Sequence, residues 1–168
     1  MELKVKIKKL VENAVIPTYA KDGDAGMDLV ATSMSEDGYG NIVYGTGLAF
    51  EIPKGYVGLV FPRSSNAKTN MYLTNSEGVV DSGYRGEISF KYKVVHNTGS
   101  FLKWWWENKI LKKKEPKISI YALGYNVYKV GDRVGQLIIM PYPSIEFEEV
   151  DKLSETERGV NGYGSTGR

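Results

Sequence analysis

The sequence predicts an all-β fold, a sandwich or barrel carrying at most one or two short helices. Three observations point there: the apolar period is mostly two, turn signals rich in Asp and Gly recur, and no long segment keeps a 3.6-residue period. At the start, Leu3, Val5 and Ile7 alternate with Lys4, Lys6 and Lys8, the pattern of a strand with one wet face. KDGDAG, EDGYGN and IPKG then punctuate the chain as turns. GYVGLVFP (55–62) and QLIIMPY (136–142) are short apolar runs bounded by Gly or Pro, which suits strands buried on both faces. SSNAKTN (64–70) begins like a short helix with a serine cap, and Phe90, Tyr92 and Val94 alternate with Lys91 and Lys93 as a further strand. The stretch FLKWWWENKILKKKEPK (101–117) breaks the pattern. It holds all three tryptophans and reads as an excursion between strands or a small helical insert ending near Pro116.

At 168 residues the chain is one domain with an embellishment. We divide it into a single β domain over 1–157, including an insertion at about 97–126, and a glycine-rich arm over 158–168. Twenty-two Lys and Arg against 20 Asp and Glu leave a formal charge of +2, too weak a field to argue for nucleic acid. No cysteine is present, which removes thiolate nucleophiles and sulfur-ligated zinc; one histidine, His96, argues against a Ser-His-Asp triad or a multi-histidine metal site. No apolar run approaches a membrane span, and MELKVKIKKL lacks a signal peptide's apolar core, so the expectation is a soluble cytoplasmic protein with no membrane contact. Any enzymatic chemistry must then run on carboxylates, hydroxyls, arginines and a hard metal ion.

Nineteen glycines exceed the background of roughly 7%. Ten of them fall in four of five segments rich in polar side chains: DAGMDL (24–29), PRSSNAK (62–68, the one without glycine), GVVDSGYRGE (78–87), GDRVGQLI (131–138) and RGVNGYGSTGR (158–168). One such segment would be only a turn. In order and spacing the five resemble the motifs of the trimeric dUTPase family, from about residue 15 to the C-terminus and broken only by 97–126. The resemblance implies a distorted jelly roll, a homotrimer with active sites shared between subunits, and hydrolysis of dUTP to dUMP and pyrophosphate with Mg²⁺. That reaction lowers dUTP and supplies dUMP for thymidylate synthesis.

The resemblance carries roles to individual residues. Asp81 matches the aspartate that orients and deprotonates the attacking water, a task a carboxylate suits where His and Cys are scarce; alone, it would read as a turn residue closing a hairpin. Tyr84 matches the ring that packs on the deoxyribose and leaves no room for a 2′-hydroxyl. The hairpin TNSEGVVD (74–81) resembles the one that holds uracil, with Asn75 at the base and Gly78 letting the backbone approach the ring. Many members have an acidic residue where Gly83 stands, which predicts a looser turn. Arg63, Ser64 and Ser65 match the motif that grips the phosphate chain, although the family more often has Gly at the place of Ser65. Gln136 matches a phosphate donor, while Asp132 and Arg133 read as a structural ion pair. Asp28 matches an aspartate that bonds to a metal-bound water or braces the site. In the arm, Arg158, Ser165 and Thr166 would hold the terminal phosphate while Tyr163, where Phe is usual, stacks on uracil and Gly164 counts among the substrate-binding residues, so that the arm closes as a lid.

Two further readings stay open beside this one. A dCTP deaminase, or a bifunctional enzyme, shares the fold. The tryptophan-lysine insert, a feature some phage-encoded members carry, could serve a protein partner, a surface cap or, less well, nucleic acid.

Overall fold

The computed structural model describes residues 3–95 and 125–161. His96, the tryptophan-lysine insert and Tyr163, Gly164, Ser165 and Thr166 lie outside the described residues. Within them the chain forms ten strands: β1 (Lys6–Lys9), β2 (Met27–Val30), β3 (Ser33–Glu36), β4 (Ile42–Gly45), β5 (Leu48–Glu51), β6 (Tyr56–Phe61), β7 (Met71–Leu73), β8 (Gly78–Val80), β9 (Ser89–Val94) and β10 (Arg133–Pro141). One 3₁₀ helix, Ser64–Lys68, interrupts them. Among the described residues no helix is long and apolar enough to cross a membrane.

The strands make two four-stranded antiparallel sheets, ordered β2-β10-β6-β8 and β3-β4-β9-β7, with β1 paired to β5 beside them. This is the expected all-β sandwich. β9 shows its logic most clearly, since Phe90, Tyr92 and Val94 are buried while Lys91 and Lys93 are exposed. The core is one apolar cluster centred on Tyr44, Phe90 and Tyr92, joined by Leu29, Leu48, Val134 and Leu137. Buried tyrosine hydroxyls need partners. That of Tyr44 donates to the carbonyl of Tyr128 at 2.9 Å, and that of Tyr92 to the carbonyl of Val134 at 2.7 Å. The sheets approach so closely that a Cβ on Gly135 would run into the Phe90 ring.

Two local expectations need correcting. β6 is not buried on both faces: Gly58 and Val60 are buried on the inner face, whereas Val57, Leu59 and Phe61, which point to the opposite face, are only half-buried. The serines do not cap the short helix. Its cap is Arg63, in extended conformation and making no side-chain cap bond, because Pro62 delivers the chain extended and the helix begins at Ser64 itself.

Candidate functional site

The sheet order explains why three distant segments meet. β10 lies between β2 and β6, and its register sets Gln136 opposite both Asp28 and Phe61, two residues before Arg63. The result is a cleft of about 380 Å³ lined by Asp24, Gly26, Asp28, Arg63, Ser64, Arg133 and Gln136. Asp28 organises it. Its Oδ1 accepts from Arg63 Nε at 2.6 Å and its Oδ2 from Arg133 Nη1 at 3.2 Å. Arg63 Nη1 also donates to Ser65 Oγ at 3.1 Å, and Gln136 Nε2 donates to the Pro62 carbonyl at 3.2 Å. Gly26 leaves room for Gln136, whose Oε1 would lie 2.6 Å from a Cβ there. With two arginines facing two aspartates, the cleft can bind an anion through directed N–H groups rather than through net charge.

Arg133 is the residue that sequence reasoning assigned elsewhere. It pairs with Asp28 and not with Asp132, whose Oδ2 accepts the Lys129 backbone N–H at 2.7 Å. Adjacent residues entering a strand point to opposite sides, so the two side chains cannot meet. Its place three residues before Gln136, in the same segment, was the available signal.

A second, smaller cavity of about 160 Å³ lies on the other side of β6, lined by Asn75, Gly78, Tyr84 and Glu87 among others. It exists because β8 pairs with β6, Val60 opposite Gly78. Gly78 must stay bare there: a Cβ would strike Val60 and come within 3.2 Å of Asn75 Nδ2. Beyond β8 the chain turns at Asp81, whose carbonyl accepts the Tyr84 N–H at 3.0 Å. Arg85 fastens this turn by donating to the carbonyls of Ser82 and Tyr84 at 2.6 and 2.8 Å. The Tyr84 hydroxyl donates to the Glu87 carbonyl at 3.1 Å, with its ring over Gly86. The turn is therefore well tied despite Gly83, around which the space is open. The Asp81 carboxylate is exposed and makes no hydrogen bond or ion pair among the described residues.

The same register separates the two halves. Val80 sits opposite Gly58, so Asp81 follows at the level of Val57, six positions before Arg63. At about 3.3 Å per residue that is on the order of 20 Å. Within one chain, the Asp81 turn and the arginine cleft stand at opposite ends of one sheet.

In the arm, Arg158 is exposed and its Nε donates to the Asn161 carbonyl at 3.2 Å. No group of three or more His, Cys, Asp or Glu that could hold a metal ion occurs among the described residues. The cleft does not build a cation cage of its own. It suits a cation that arrives on an anionic ligand, with Asp28, whose oxygens keep further lone pairs, facing it.

Three comparisons with known proteins bear on this geometry. The family model described as dUTPase matches residues 12–101 and 110–167, leaving unmatched 102–109, where the three tryptophans stand. The deoxyuridine 5′-triphosphate nucleotidohydrolase of Rhodococcus erythropolis is 37% identical over 98% of this chain and 87% of that protein. The protein of the same name from Corynebacterium glutamicum is 38% identical over 98% of this chain and 95% of its own length. Among solved structures, a G164S mutant of the dUTPase of Staphylococcus bacteriophage 80alpha, with dUpNHpp, superposes with a TM-score of 0.71 at 27% identity, covering 98% of this chain and 99% of that one.

Proposed function

The chain belongs to the dUTPase family and hydrolyses dUTP to dUMP and pyrophosphate; from that premise we propose how its residues divide the reaction. Arg63, Ser64 and Gln136 grip the phosphate chain, and Arg133 joins them from the same cleft. Their convergence through β2, β10 and β6 is the observation that carries this reading. Asp28 braces both arginines and would hold a triphosphate-borne Mg²⁺ through water, an ion that would neutralise part of the substrate's charge. Asp81 takes a proton from the water that attacks the α-phosphorus, and its open lone pairs suit that task. Main-chain groups of the 74–81 hairpin, with Asn75 and Gly78, read the uracil edge. The Tyr84 ring excludes a 2′-hydroxyl.

The site is assembled between copies. A base must stand within roughly 3 Å of the reacting water, so an Asp81 some 20 Å from its own arginine cleft serves the cleft of a neighbour. Apolar side chains after β10 also favour assembly: Ile145, Phe147 and Leu153 are 68%, 90% and 81% exposed in one chain. A homotrimer, with Arg158, Tyr163, Gly164, Ser165 and Thr166 of the arm closing over each site, completes the proposal.

A nucleotide panel tests it. Pyrophosphate release from dUTP should exceed release from dCTP, dTTP and UTP by at least about a hundredfold. Comparable turnover of any of the three would overturn the specificity assignment, and ammonia released from dCTP would favour the deaminase reading instead.

A further inference from the structure

We infer that Ser65 is a positioning residue: its hydroxyl fixes the Arg63 guanidinium and thereby sets how tightly this chain holds its nucleotide. The inference rests on Arg63 as a phosphate-binding residue. Arg63 has two anchors from different elements. Nε donates to Asp28 on β2 at 2.6 Å, and Nη1 donates to Ser65 Oγ on the 3₁₀ helix at 3.1 Å. A guanidinium is a rigid planar fork with five N–H donors. Held by Asp28 alone it would swing about one contact; held at two nitrogens its plane is set, and three N–H groups remain to meet phosphate oxygens.

Ser65 itself has firm backing. It is half-buried and lies against the Tyr128 phenol, whose pKa is raised chiefly by burial and eased back by the Ser65 hydroxyl and the Arg63 charge. Tyr128 packs edge-on against Tyr44 and Tyr92, with ring centres 6.1 and 5.6 Å away. The hydroxyl thus couples an arginine at the cleft to the buried tyrosine cluster of the core. A glycine at this place, the commoner residue in the family, leaves the arginine with one anchor.

Steady-state kinetics of the full chain with dUTP test this. Ser65→Ala and Ser65→Gly should raise KM about fivefold, the scale of one ordinary net hydrogen bond, with kcat within about twofold. Ser65→Thr, which keeps the hydroxyl, should keep the parent KM. In an Arg63→Lys background, where the fork is gone, Ser65→Ala should add nothing. An unchanged KM in Ser65→Ala and Ser65→Gly overturns the inference, as does an equal Ser65→Ala effect in both backgrounds. So does a loss that Ser65→Thr shares and a lowered melting temperature accompanies. If Arg63→Lys alone leaves KM at the parent value, the phosphate role of Arg63 fails first, and that single variant identifies the failure.

Discussion

Asp28 takes an arginine on each carboxylate oxygen, whereas Asp81, at the far end of the same sheet, offers its carboxylate to solvent with no side-chain partner among the described residues. On the proposed division of roles, the contrast separates two jobs. The end assigned to phosphate has its donors aimed within one chain by Asp28 and Ser65, the kind of pre-organisation in which electrostatic binding is most effective. The Asp81 end is held by its backbone: the Tyr84 N–H and the Arg85 guanidinium fasten the turn's carbonyls and leave the side chain free. A carboxylate that must receive a proton gains from such freedom. A carboxylate that must hold two guanidiniums has spent it.

The sharpest way to break this comparison is to inactivate each end separately and then mix the halves. Asp81→Asn should lower kcat by about a thousandfold, the usual scale for losing a general base, while dUTP binding survives. Arg63→Ala should disable the other end by weakening phosphate binding. If the halves of a site come from different copies, the two variants co-refolded in equal amounts should recover about a quarter of the parent activity by random assembly. Pyrophosphate release measures it. No recovery from a properly assembled mixture would mean that each chain completes its own site.

Tyr84 probes the backbone-held end more gently. Tyr84→Phe removes the hydroxyl bond to the Glu87 carbonyl but keeps the ring over Gly86. The expected loss of dUTP turnover is about threefold, an exposed neutral hydrogen bond, with exclusion of UTP intact. Tyr84→Ala should instead let UTP compete. The ratio of dUTP to UTP turnover reads this directly, and a Tyr84→Ala variant that still rejects UTP would remove the ring from the specificity account.

Much of the fold was legible because its signals are local. The alternation in β9 and the apolar runs at 55–62 and 136–142 named strands where strands occur. The residues of the candidate site were legible as motif members, but their grouping was not. That Asp28, Arg63 and Gln136 meet while Asp81 stands apart follows from β10 inserting between β2 and β6, a non-local pairing that no period reveals. Arg133 was misplaced for a related reason. Its neighbour in sequence, Asp132, looked like its partner, whereas the strand directs it to Asp28 across the sheet.

Asp37 sharpens the comparison from the side of stability, with the smallest expected effect. It is a carboxylate satisfied entirely within its own surroundings: the Asn41 side chain and backbone N–H, the Tyr39 N–H and, at 3.4 Å, Lys91 all donate to it. The Asn41 side-chain bonds, followed by the Asn41 backbone N–H, hold its pKa down from an ordinary 3.8 to about 2. Because the folded value is the lower one, the ionised turn stabilises the fold at pH above about 4. That contribution fades as the pH falls from about 4 through about 2, where Asp37 takes up a proton in the folded state as well. Asp37→Ala should therefore melt slightly below the parent at pH 6, and the gap should narrow steadily between pH 4 and 2. Turnover at neutral pH should not change, since Asp37 joins β3 to β4 in the sheet that carries neither Asp28 nor Asp81. Parallel melting curves across that range would show that the turn's bonds contribute equally in both protonation states. In that case a fully partnered carboxylate would differ from Asp81 only in exposure, and the division between committed and free carboxylates would lose its physical basis.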